Sequence, residues 1–373
     1  MALFDESDDV ARVPRRRMPR AAVAGVWATT VALVSLLVLT ILPTSFVIQQ
    51  PGPVFNTLGT AQDADGEEMP LISISGAETF PTAGSLDLLT VQVVGNRDRT
   101  PSWFELALAW FDSSRAVIPL EEVFPVGQTT EERNEQSAAL MVDSQKEATA
   151  AALTELGYDV NPMVRVYSLT DDSAASGMLE PDDIIRTADG AAITDTAQLR
   201  SIVNAAAGEP VSMTIERAGQ EQTVEVTPRQ SDVDGETLWL IGVTTLHDYA
   251  FPIDVTIQLD NVGGPSAGMM FALGIIDTLS EGELNGGRDV AGTGTIDASG
   301  TVGPIGGIRQ KLYGALGAGA DYFLAPESNC SEVVGHVPSG LQVFSVATLD
   351  DALEVMSALR DGDDLSRLPT CGD

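Results

Sequence analysis

The sequence predicts a multidomain protein of mixed α+β class with one transmembrane helix near its amino terminus. Three observations predict it: an uncharged apolar run from Ala21 to Ile48, a strand-rich stretch with tight turns from Asn161 to Gln230, and alternating strand-like and helix-like periods after that stretch. With 373 residues, 44% of them hydrophobic, the chain is long enough for two or three domains with their own cores.

The apolar run is long enough to cross a bilayer, because a helix of about 20 residues spans the hydrocarbon core. A cleaved signal peptide would have an apolar region of about 7 to 15 residues and a small-x-small cleavage site, and the run fits neither. Several arginines precede it, and the positive-inside rule therefore keeps the tail at residues 1–20 cytoplasmic. These are Arg12, Arg15, Arg16, Arg17 and Arg20. We expect a single-pass cell-membrane protein with a cytoplasmic amino terminus, in which the part after the run is extracytoplasmic.

Charge and cysteine content limit the choice of partners. The formal net charge is −34, so the surface repels phosphate backbones and nucleic-acid binding is not expected; solubility accounts for the acidity. Cys330 and Cys371 both lie in the part predicted to be outside, where a disulfide is compatible with the compartment; two free thiols are the alternative. Two histidines and two cysteines without zinc-site spacing predict no metal, and no cofactor is expected.

The stretch after the predicted membrane helix is expected to be a small mixed α/β region. Strand-like runs occur between Leu71 and Val94, and helix-like periods occur from Trp103 to Phe111 and from Glu135 to Leu156. Lys146 lies in the second of these helices among polar neighbours, and we expect it to be a solvated surface lysine.

The stretch from Asn161 to Gln230 contains Leu179-Glu180-Pro181-Asp182-Asp183-Ile184-Ile185, followed by the turn Ala188-Asp189-Gly190. It resembles the PDZ domains of bacterial membrane and periplasmic proteases, although Asp182 stands where that pattern usually has glycine. The resemblance implies a β-rich domain that binds peptide ends by adding a strand to a sheet edge. A PDZ-like fold that is only a spacer is the alternative.

A serine framed by small residues lies in the last part of the chain, in Gly263-Gly264-Pro265-Ser266-Ala267-Gly268. After it, Met269, Ala272, Leu273, Ile276 and Leu279 have helical spacing. The serine is therefore predicted near a helix amino terminus, where free N–H groups can hold an oxyanion.

Lys311 and Lys146 are the two lysines of the chain, so arginine is the usual cation here. Arginine cannot deprotonate in a protein, whereas a desolvated lysine can serve as a general base. Lys311 follows Pro304-Ile305-Gly306-Gly307, and it is predicted at the edge of a buried helical stripe formed by Ile308, Leu312, Ala315 and Leu316. Spacing alone does not bring it to Ser266.

Three motifs in order, residues 264–268, 291–296 and 303–311, closely resemble the proteolytic domain of Lon proteases. The full layout resembles the single-pass, PDZ-containing Lon-type serine proteases of bacteria. The resemblance implies that Ser266 is the nucleophile, that Lys311 is the general base and that Thr293 holds the lysine. It also implies an oxyanion site made by backbone N–H groups of Gly264, Ser266 and Ala267, and assembly as a hexameric ring. Many Lon enzymes have an aspartate where this chain has Gly263.

The predicted regions are a cytoplasmic tail (1–20), a transmembrane helix (21–48), a membrane-proximal α/β region (49–160), a PDZ-like domain (161–230), a Lon-type proteolytic domain (231–360) and a carboxy-terminal tail (361–373). The sequence contains no Gly-x-x-x-x-Gly-Lys-[Ser/Thr] loop. We therefore expect an ATP-independent serine endopeptidase that cleaves exported or membrane-associated proteins, with the PDZ domain recognising its protein or peptide substrates.

Two alternatives stay open at this point. His247, which precedes Asp248, or His336 could serve a histidine-dependent triad, since triads are defined by geometry; neither lies in a glycine-framed or helix-start context. The other alternative is a membrane-anchored PDZ scaffold or chaperone whose last domain does not cleave. The presence of both Ser266 and Lys311 argues against it.

Overall fold

The computed structural model describes residues 19–62, 68–125, 127, 129–170, 172–233, 236–259 and 262–372. The chain forms two compact units, one made of Met1–Gln49 and Val93–Val126, the other of Gln50–Gln92 and Gly127–Asp373. The predicted mixed α+β class is confirmed. The predicted cytoplasmic tail lies, except for its last two residues, outside the described part of the chain.

The helices are α1 (Arg20–Ile41), α2 (Trp103–Trp110), α3 (Leu120–Val123), α4 (Thr130–Glu155), α5 (Thr196–Ala205), α6 (Gly268–Leu279), α7 (Ile308–Ala318), α8 (Cys330–Val333) and α9 (Leu349–Asp361). The strands are β1 (Phe46–Asn56), β2 (Thr60–Gln62), β3 (Glu68–Pro70), β4 (Ile72–Ser75), β5 (Ser85–Val94), β6 (Ala116–Pro119), β7 (Asn161–Leu169), β8 (Ile184–Ala188), β9 (Ala191–Ala192), β10 (Val211–Arg217), β11 (Gln220–Val226), β12 (Arg229–Val233), β13 (Glu236–Leu240), β14 (Val243–Ala250), β15 (Asp254–Ile257), β16 (Asp289–Gly292), β17 (Thr295–Ile296), β18 (Val302–Gly303), β19 (Tyr322–Pro326) and β20 (Gln342–Val346).

The smaller unit contains the apolar helix α1, which is long and apolar enough to cross a membrane and has no buried residue in its apolar window. The predicted span ran on to Ile48, but the helix ends at Ile41 and strand β1 begins at Phe46. Pro43 explains the difference, because a proline disfavours helical geometry at the preceding residue and cannot donate a helical hydrogen bond. The uncharged run therefore covers a helix and the start of a strand.

The larger unit is built on a sheet of order β20-β19-β16-β5-β1, in which β16 runs parallel to both β5 and β19. Side chains that alternate along these strands pack on opposite faces. On one face they meet α6, through Leu88, Val290 and Leu324. On the other they meet α7, through Leu89, Ala291 and Phe323. The sheet therefore separates the helix that follows Ser266 from the helix that carries Lys311.

The sheet takes two strands from the range that was predicted to be a separate membrane-proximal region. Ser85–Leu88 of β5 pair with Asp289–Gly292 of β16, about 200 positions further along the chain, and α4 packs on α6. Residues 93–126, by contrast, belong to the smaller unit. Pairings between such distant segments leave no local pattern in the sequence. The division predicted at residue 160 therefore did not include them.

A second sheet has the order β11-β10-β8-β7-β14, with β9 paired to β8 and α5 packed on the same core. Its edge strand β14 lies beyond residue 230, where the predicted PDZ-like range ended. Strands β13 and β14 are separated by a turn at Ile241 and Gly242. Gly242 has φ +73°, which explains the break because this left-handed geometry favours glycine.

Asp182 also adopts a left-handed conformation, with φ +70°. This is the position where the PDZ pattern usually has glycine, so the sequence departs from the pattern while the backbone keeps the geometry. Aspartate tolerates this geometry better than most residues but at some steric cost.

We expect Asp182→Gly to change the free energy of unfolding by no more than about 1 kcal/mol in either direction, and Asp182→Val to lower it by about 1 kcal/mol or more. Urea unfolding of the three proteins measures this; a Val variant as stable as the wild type would contradict it.

Cys330 and Cys371 form a disulfide, with Cα atoms 4.9 Å apart. The bond ties the carboxy-terminal tail to α8, in which Val333 belongs to the core around α7. Of the two alternatives left open by the sequence, the structure has the bonded pair.

Candidate active site

Ser266 and Lys311 meet beyond the carboxyl end of β16. This strand is short and ends at Gly292, so a residue before α6 on one face and a residue of α7 on the other can approach past its end. The Nζ atom of Lys311 lies 2.8 Å from the Oγ atom of Ser266. The structure therefore brings together two side chains that are 45 residues apart in the sequence.

Lys311, predicted at the edge of the apolar stripe, is buried, with 2% of its surface exposed. Leu316, predicted in that stripe, is 37% exposed. Burial lowers the pKa of Lys311 from 10.5 to about 7, because the charged form loses its hydration. Within the described part of the chain, no carboxylate forms an ion pair with this lysine. A substantial fraction is therefore neutral near pH 7, as a general base must be.

Thr293 follows β16 directly and fixes the orientation of the lysine. Its hydroxyl donates to the carbonyl oxygen of Ser266 at 2.9 Å, and its Oγ1 lies 2.8 Å from Nζ of Lys311. A hydroxyl has one proton, so Thr293 must accept from a lysine N–H. That N–H is then directed at Thr293, which leaves the lone pair of the neutral amine free to accept the proton of Ser266.

The turn that carries Ser266 is joined to α4 by two hydrogen bonds. The N–H of Gly264 donates to the carbonyl of Ser137 at 2.9 Å, and the Ser144 hydroxyl donates to the carbonyl of Pro265 at 3.0 Å. A Cβ atom at Gly268 would lie 2.9 Å from Oγ of Ser144, so the close approach needs glycine. No sequence signal marked Ser137 or Ser144, because both are more than 120 residues from the turn.

The predicted oxyanion site needs one correction. Gly264 does not fit this role, because its N–H already donates to Ser137. The N–H groups of Ser266 and Ala267 have no backbone acceptor among the described residues, and they lie just before the first turn of α6. These two groups are in a position to hold developing negative charge next to Ser266.

A cleft of about 560 Å³ opens over Ser266 and Lys311. Its walls are mainly apolar, and they include Phe55 of β1 and Met141 of α4. Residues Leu88 to Gln92 of β5 also line it; beyond Leu88 this strand has no partner on the β16 side within the described residues. An apolar cleft beside an open strand edge can bind an extended peptide.

Other candidate side chains are engaged elsewhere. His247 contacts the carbonyl of Thr194 through Nε2, at 2.9 Å, and Nδ1 of His336 contacts the carbonyl of Val334. Neither ring is hydrogen-bonded to Ser266. Lys146, predicted to be solvated, is only 31% exposed in its side chain and pairs with Asp248 at 3.2 Å. The partner is on β14, which no local pattern could indicate.

A groove of about 230 Å³ lies between α5 and the edge strand β14. Leu199 and Val203 of α5 form one side, and residues 239–243 and Thr245 form the other. The hydroxyls of Thr196 and Thr245 are 3.0 Å apart, a hydrogen bond that joins α5 to β14. The strand edge next to a helix is the arrangement in which β-strand addition captures a peptide.

Replacing Thr293 by valine tests its role in orienting the lysine. We expect kcat to fall by about 10- to 100-fold with little change in KM, because the lost hydrogen bond is strongest when Lys311 becomes an ammonium ion and such bonds contribute about 1.5 to 3 kcal/mol. Thr293→Ser keeps the hydroxyl and should retain most of the activity. Steady-state hydrolysis of a peptide substrate measures both; equal rates for the valine and serine variants would exclude an effect of the hydroxyl.

Part of the chain is similar to the serine peptidase domain of Lon proteases. Residues 259–359 match the family model of the Lon protease (S16) C-terminal proteolytic domain, and residues 135–227 match that of the PDZ domain. Both domains predicted from the sequence are therefore confirmed. Strand β14, which completes the second sheet, lies outside the PDZ match.

Curated relatives match in the proteolytic domain. The chain is 38% identical over 94 residues to the Lon protease of Azospirillum brasilense, which is 24% of this chain and 11% of that protein. It is 40% identical over 100 residues to Lon protease 1 of Sorangium cellulosum, or 26% and 12% of the two chains. The chain thus spans only about an eighth of the length of these relatives.

The solved structures that resemble part of this chain include two PDZ domains. The PDZ domain of an SdrC-like protein from Listeria monocytogenes is 21% identical, and the match covers 22% of this chain and 86% of that one with a TM-score of 0.20. Its counterpart from Listeria innocua is 19% identical, with 22% and 92% covered and the same TM-score.

Proposed function

We propose that this protein is a membrane-anchored, ATP-independent serine endopeptidase with a Ser266–Lys311 dyad, which cleaves exported or membrane-associated proteins. One observation carries the proposal. A buried lysine, with its pKa lowered to about 7 and no carboxylate partner in the described residues, lies 2.8 Å from the serine hydroxyl. Burying a lysine lowers the stability of the fold, and a buried lysine next to a serine therefore supports a catalytic role for this pair.

In the proposed reaction, the neutral amine of Lys311 accepts the proton of Ser266 as Oγ attacks the scissile carbonyl carbon. The N–H groups of Ser266 and Ala267 hold the resulting oxyanion. The lysine ammonium then gives its proton to the leaving amine, and the acyl-enzyme forms. Water attacks the ester, again losing its proton to Lys311, and the proton returns to Ser266 Oγ as the acid product leaves. Thr293 keeps the lysine oriented through both halves.

The shape of the cleft supports an extended, unfolded substrate segment. The open part of β5 can pair with the substrate backbone, while the apolar walls accept side chains. A folded protein does not present such a segment, so substrates are proteins with flexible ends or local unfolding. The sequence contains no phosphate-binding loop of the Walker type, which supports cleavage without ATP.

The groove beside β14 supports a role for the PDZ domain in capturing peptide segments of substrates. Strand β14 also contacts α4, since the Tyr249 hydroxyl donates to Glu147 at 2.7 Å and Asp248 pairs with Lys146. The helix that holds the Ser266 turn thus also holds the proposed peptide-binding strand. By resemblance to Lon-type domains, we further propose a hexameric ring, which light scattering after size-exclusion chromatography would measure directly.

The proposal is tested with the full-length protein in detergent micelles, incubated with an unfolded protein substrate and without any nucleotide. We expect peptide products from the wild type, at a rate that added ATP does not change, and none from Ser266→Ala. A membrane-anchored scaffold or chaperone would bind the substrate equally well in both proteins and leave it intact in both. An ATP requirement for cleavage would contradict the ATP-independent mechanism but not the dyad.

A further inference from the structure

The smaller unit exposes a cluster of large apolar side chains that its own core leaves uncovered. Phe104 is 43% exposed, Leu108 54%, Trp110 63% and Phe111 92%. We call these four residues the α2 patch. Phe104, Leu108 and Phe111 are spaced by four and three residues, so they share one face of α2 and its carboxyl end, while Trp110 projects to the side of that face.

The opposite face of α2 is fixed on the protein. Leu106 and Ala109 are buried against Ile48, and Trp103 packs edge-on against Phe46 with ring centroids 6.5 Å apart. A capping box formed by Ser102 and Glu105 begins the helix. The helix therefore has apolar side chains on both faces, and its packing points the α2 patch away from the core of the unit.

The start of α2 is tied to the end of the membrane-spanning candidate α1. Thr44, three residues after α1 ends, donates two hydrogen bonds to the segment before α2: its N–H donates to the Thr100 hydroxyl at 3.2 Å, and its own hydroxyl donates to the Pro101 carbonyl at 2.8 Å. Pro43 also forms a β-bridge with Ser102, and α1 contacts α2. With about 1.5 Å rise per residue, the 22 residues of α1 span about 33 Å, close to the ~30 Å hydrocarbon core. In a bilayer spanned by α1, its last residues, and α2 with them, would therefore lie at the level of the lipid headgroups.

The size and chemistry of the α2 patch favour lipid over a second protein. Its exposed fractions correspond to roughly 500 Å² of apolar surface, less than the ~800 Å² per partner of a standard protein interface. None of its four side chains is charged. Tryptophan is enriched at membrane–water interfaces, and interfacial helices bury an apolar face about 5 to 10 Å into the headgroup and acyl boundary.

We propose that α2 is an interfacial helix whose patch inserts into the outer leaflet beside α1. The proposal rests on the membrane anchoring by α1 proposed above. It gives the smaller unit a second, non-spanning attachment to the bilayer, which fixes its orientation on the membrane surface. The ligand is the bilayer itself, a phospholipid headgroup and acyl boundary.

The test uses the full-length protein in nanodiscs of phosphatidylcholine and phosphatidylglycerol. Leu108→Cys and Phe111→Cys are each labelled with a nitroxide, the two native cysteines being held in their disulfide. Labels at Leu37→Cys on α1 and at Tyr167→Cys, which is 62% exposed on β7, serve as references for lipid and water. Power-saturation measurements compare collisions with oxygen, which concentrates in lipid, and with a water-soluble nickel chelate. Unchanged thermal unfolding midpoints show that the labelled proteins are folded.

We expect the oxygen-to-nickel ratio at positions 108 and 111 to shift from the Tyr167 value toward the Leu37 value. A ratio equal to that at Tyr167 would overturn the proposal, since the α2 patch would then face water. Low collision rates with both reagents would overturn it as well, because they indicate a protein contact such as a second copy of this chain. A water-like ratio at Leu37 would instead show that α1 is not in the membrane, and then the anchoring itself fails.

Discussion

Replacing Ser266 by alanine is expected to lower kcat by about 10³-fold or more, because the variant lacks the oxygen that attacks the carbonyl in the proposed mechanism and any residual hydrolysis must use water. Removal of a catalytic serine costs up to about 10⁶-fold in other serine peptidases, and the remainder reflects oxyanion binding and substrate positioning. The side chain is only half-buried, so the fold should be unaffected. Hydrolysis of an unfolded substrate, followed by peptide mass spectrometry, measures the loss.

A matched control is Ser339→Ala, a serine in the same domain that is exposed to solvent. It should retain wild-type rates, which separates loss of the nucleophile from a general effect of removing a hydroxyl. Substrate binding to Ser266→Ala should persist, because the cleft walls are unchanged. Full cleavage by this variant would show that another residue performs the attack, and the assignment of Ser266 as nucleophile would then be wrong.

Local sequence patterns were sufficient to predict those parts of the candidate site that depend on local structure. Small residues before an amphipathic period predicted a serine at a helix start, and α6 begins at Gly268, two residues after Ser266. The scarcity of lysine directed attention to Lys311, and the structure places it 2.8 Å from the serine. Thr293 was predicted as a site residue only from the resemblance to Lon proteases. No local sequence pattern distinguishes this threonine, which follows a four-residue strand.

The remaining parts of the site depend on long-range packing, which periodicity does not encode. Met141 lines the cleft and Ser144 holds the Pro265 carbonyl, yet both belong to a helix that was expected in a separate region. Their helix packs on α6 only because β5 pairs with β16 and brings distant segments into one core. Long-range packing also explains why Gly264 does not fit the predicted oxyanion role. Its sequence position suits an oxyanion donor, but its N–H donates to a carbonyl of α4.

The burial of Lys311 predicts that two substitutions with the same effect on activity have opposite effects on stability. A tenfold change in proton affinity is about 1.4 kcal/mol. The fall in the pKa of Lys311 from 10.5 to about 7 therefore corresponds to roughly 4 kcal/mol of lost folding free energy at pH 7. Lys311→Met should abolish cleavage and raise the free energy of unfolding by about 1 to 3 kcal/mol. This gain is smaller than 4 kcal/mol because the variant also loses the hydrogen bonds of the lysine.

Lys311→Arg should also abolish cleavage, because guanidinium does not deprotonate, but it should lower the free energy of unfolding by about 3 kcal/mol or more. The positive charge would then be buried permanently, with no carboxylate partner among the described residues. Lys146→Met is the control for the loss of a lysine: it does not line the cleft, and its partner Asp248 keeps Arg165 as a second cation, so its loss should cost at most about 1 kcal/mol and leave hydrolysis of a short peptide intact.

The pH dependence of stability separately tests whether the lowered pKa of Lys311 destabilises the folded protein. Between pH 7 and 10.5 the unfolded chain binds more protons at Lys311 than the folded protein does, so the destabilising contribution of Lys311 shrinks as the pH rises through this window. The advantage of Lys311→Met should therefore be largest at pH 7 and below and should shrink toward pH 10.5. Over the same range, kcat/KM of the wild type should rise through about pH 7 as the amine loses its proton. Denaturant unfolding at several pH values measures the first trend, and initial rates measure the second. A constant advantage of the methionine variant across this window would mean that Lys311 keeps its ordinary pKa and is charged at neutral pH, which is incompatible with its use as the general base.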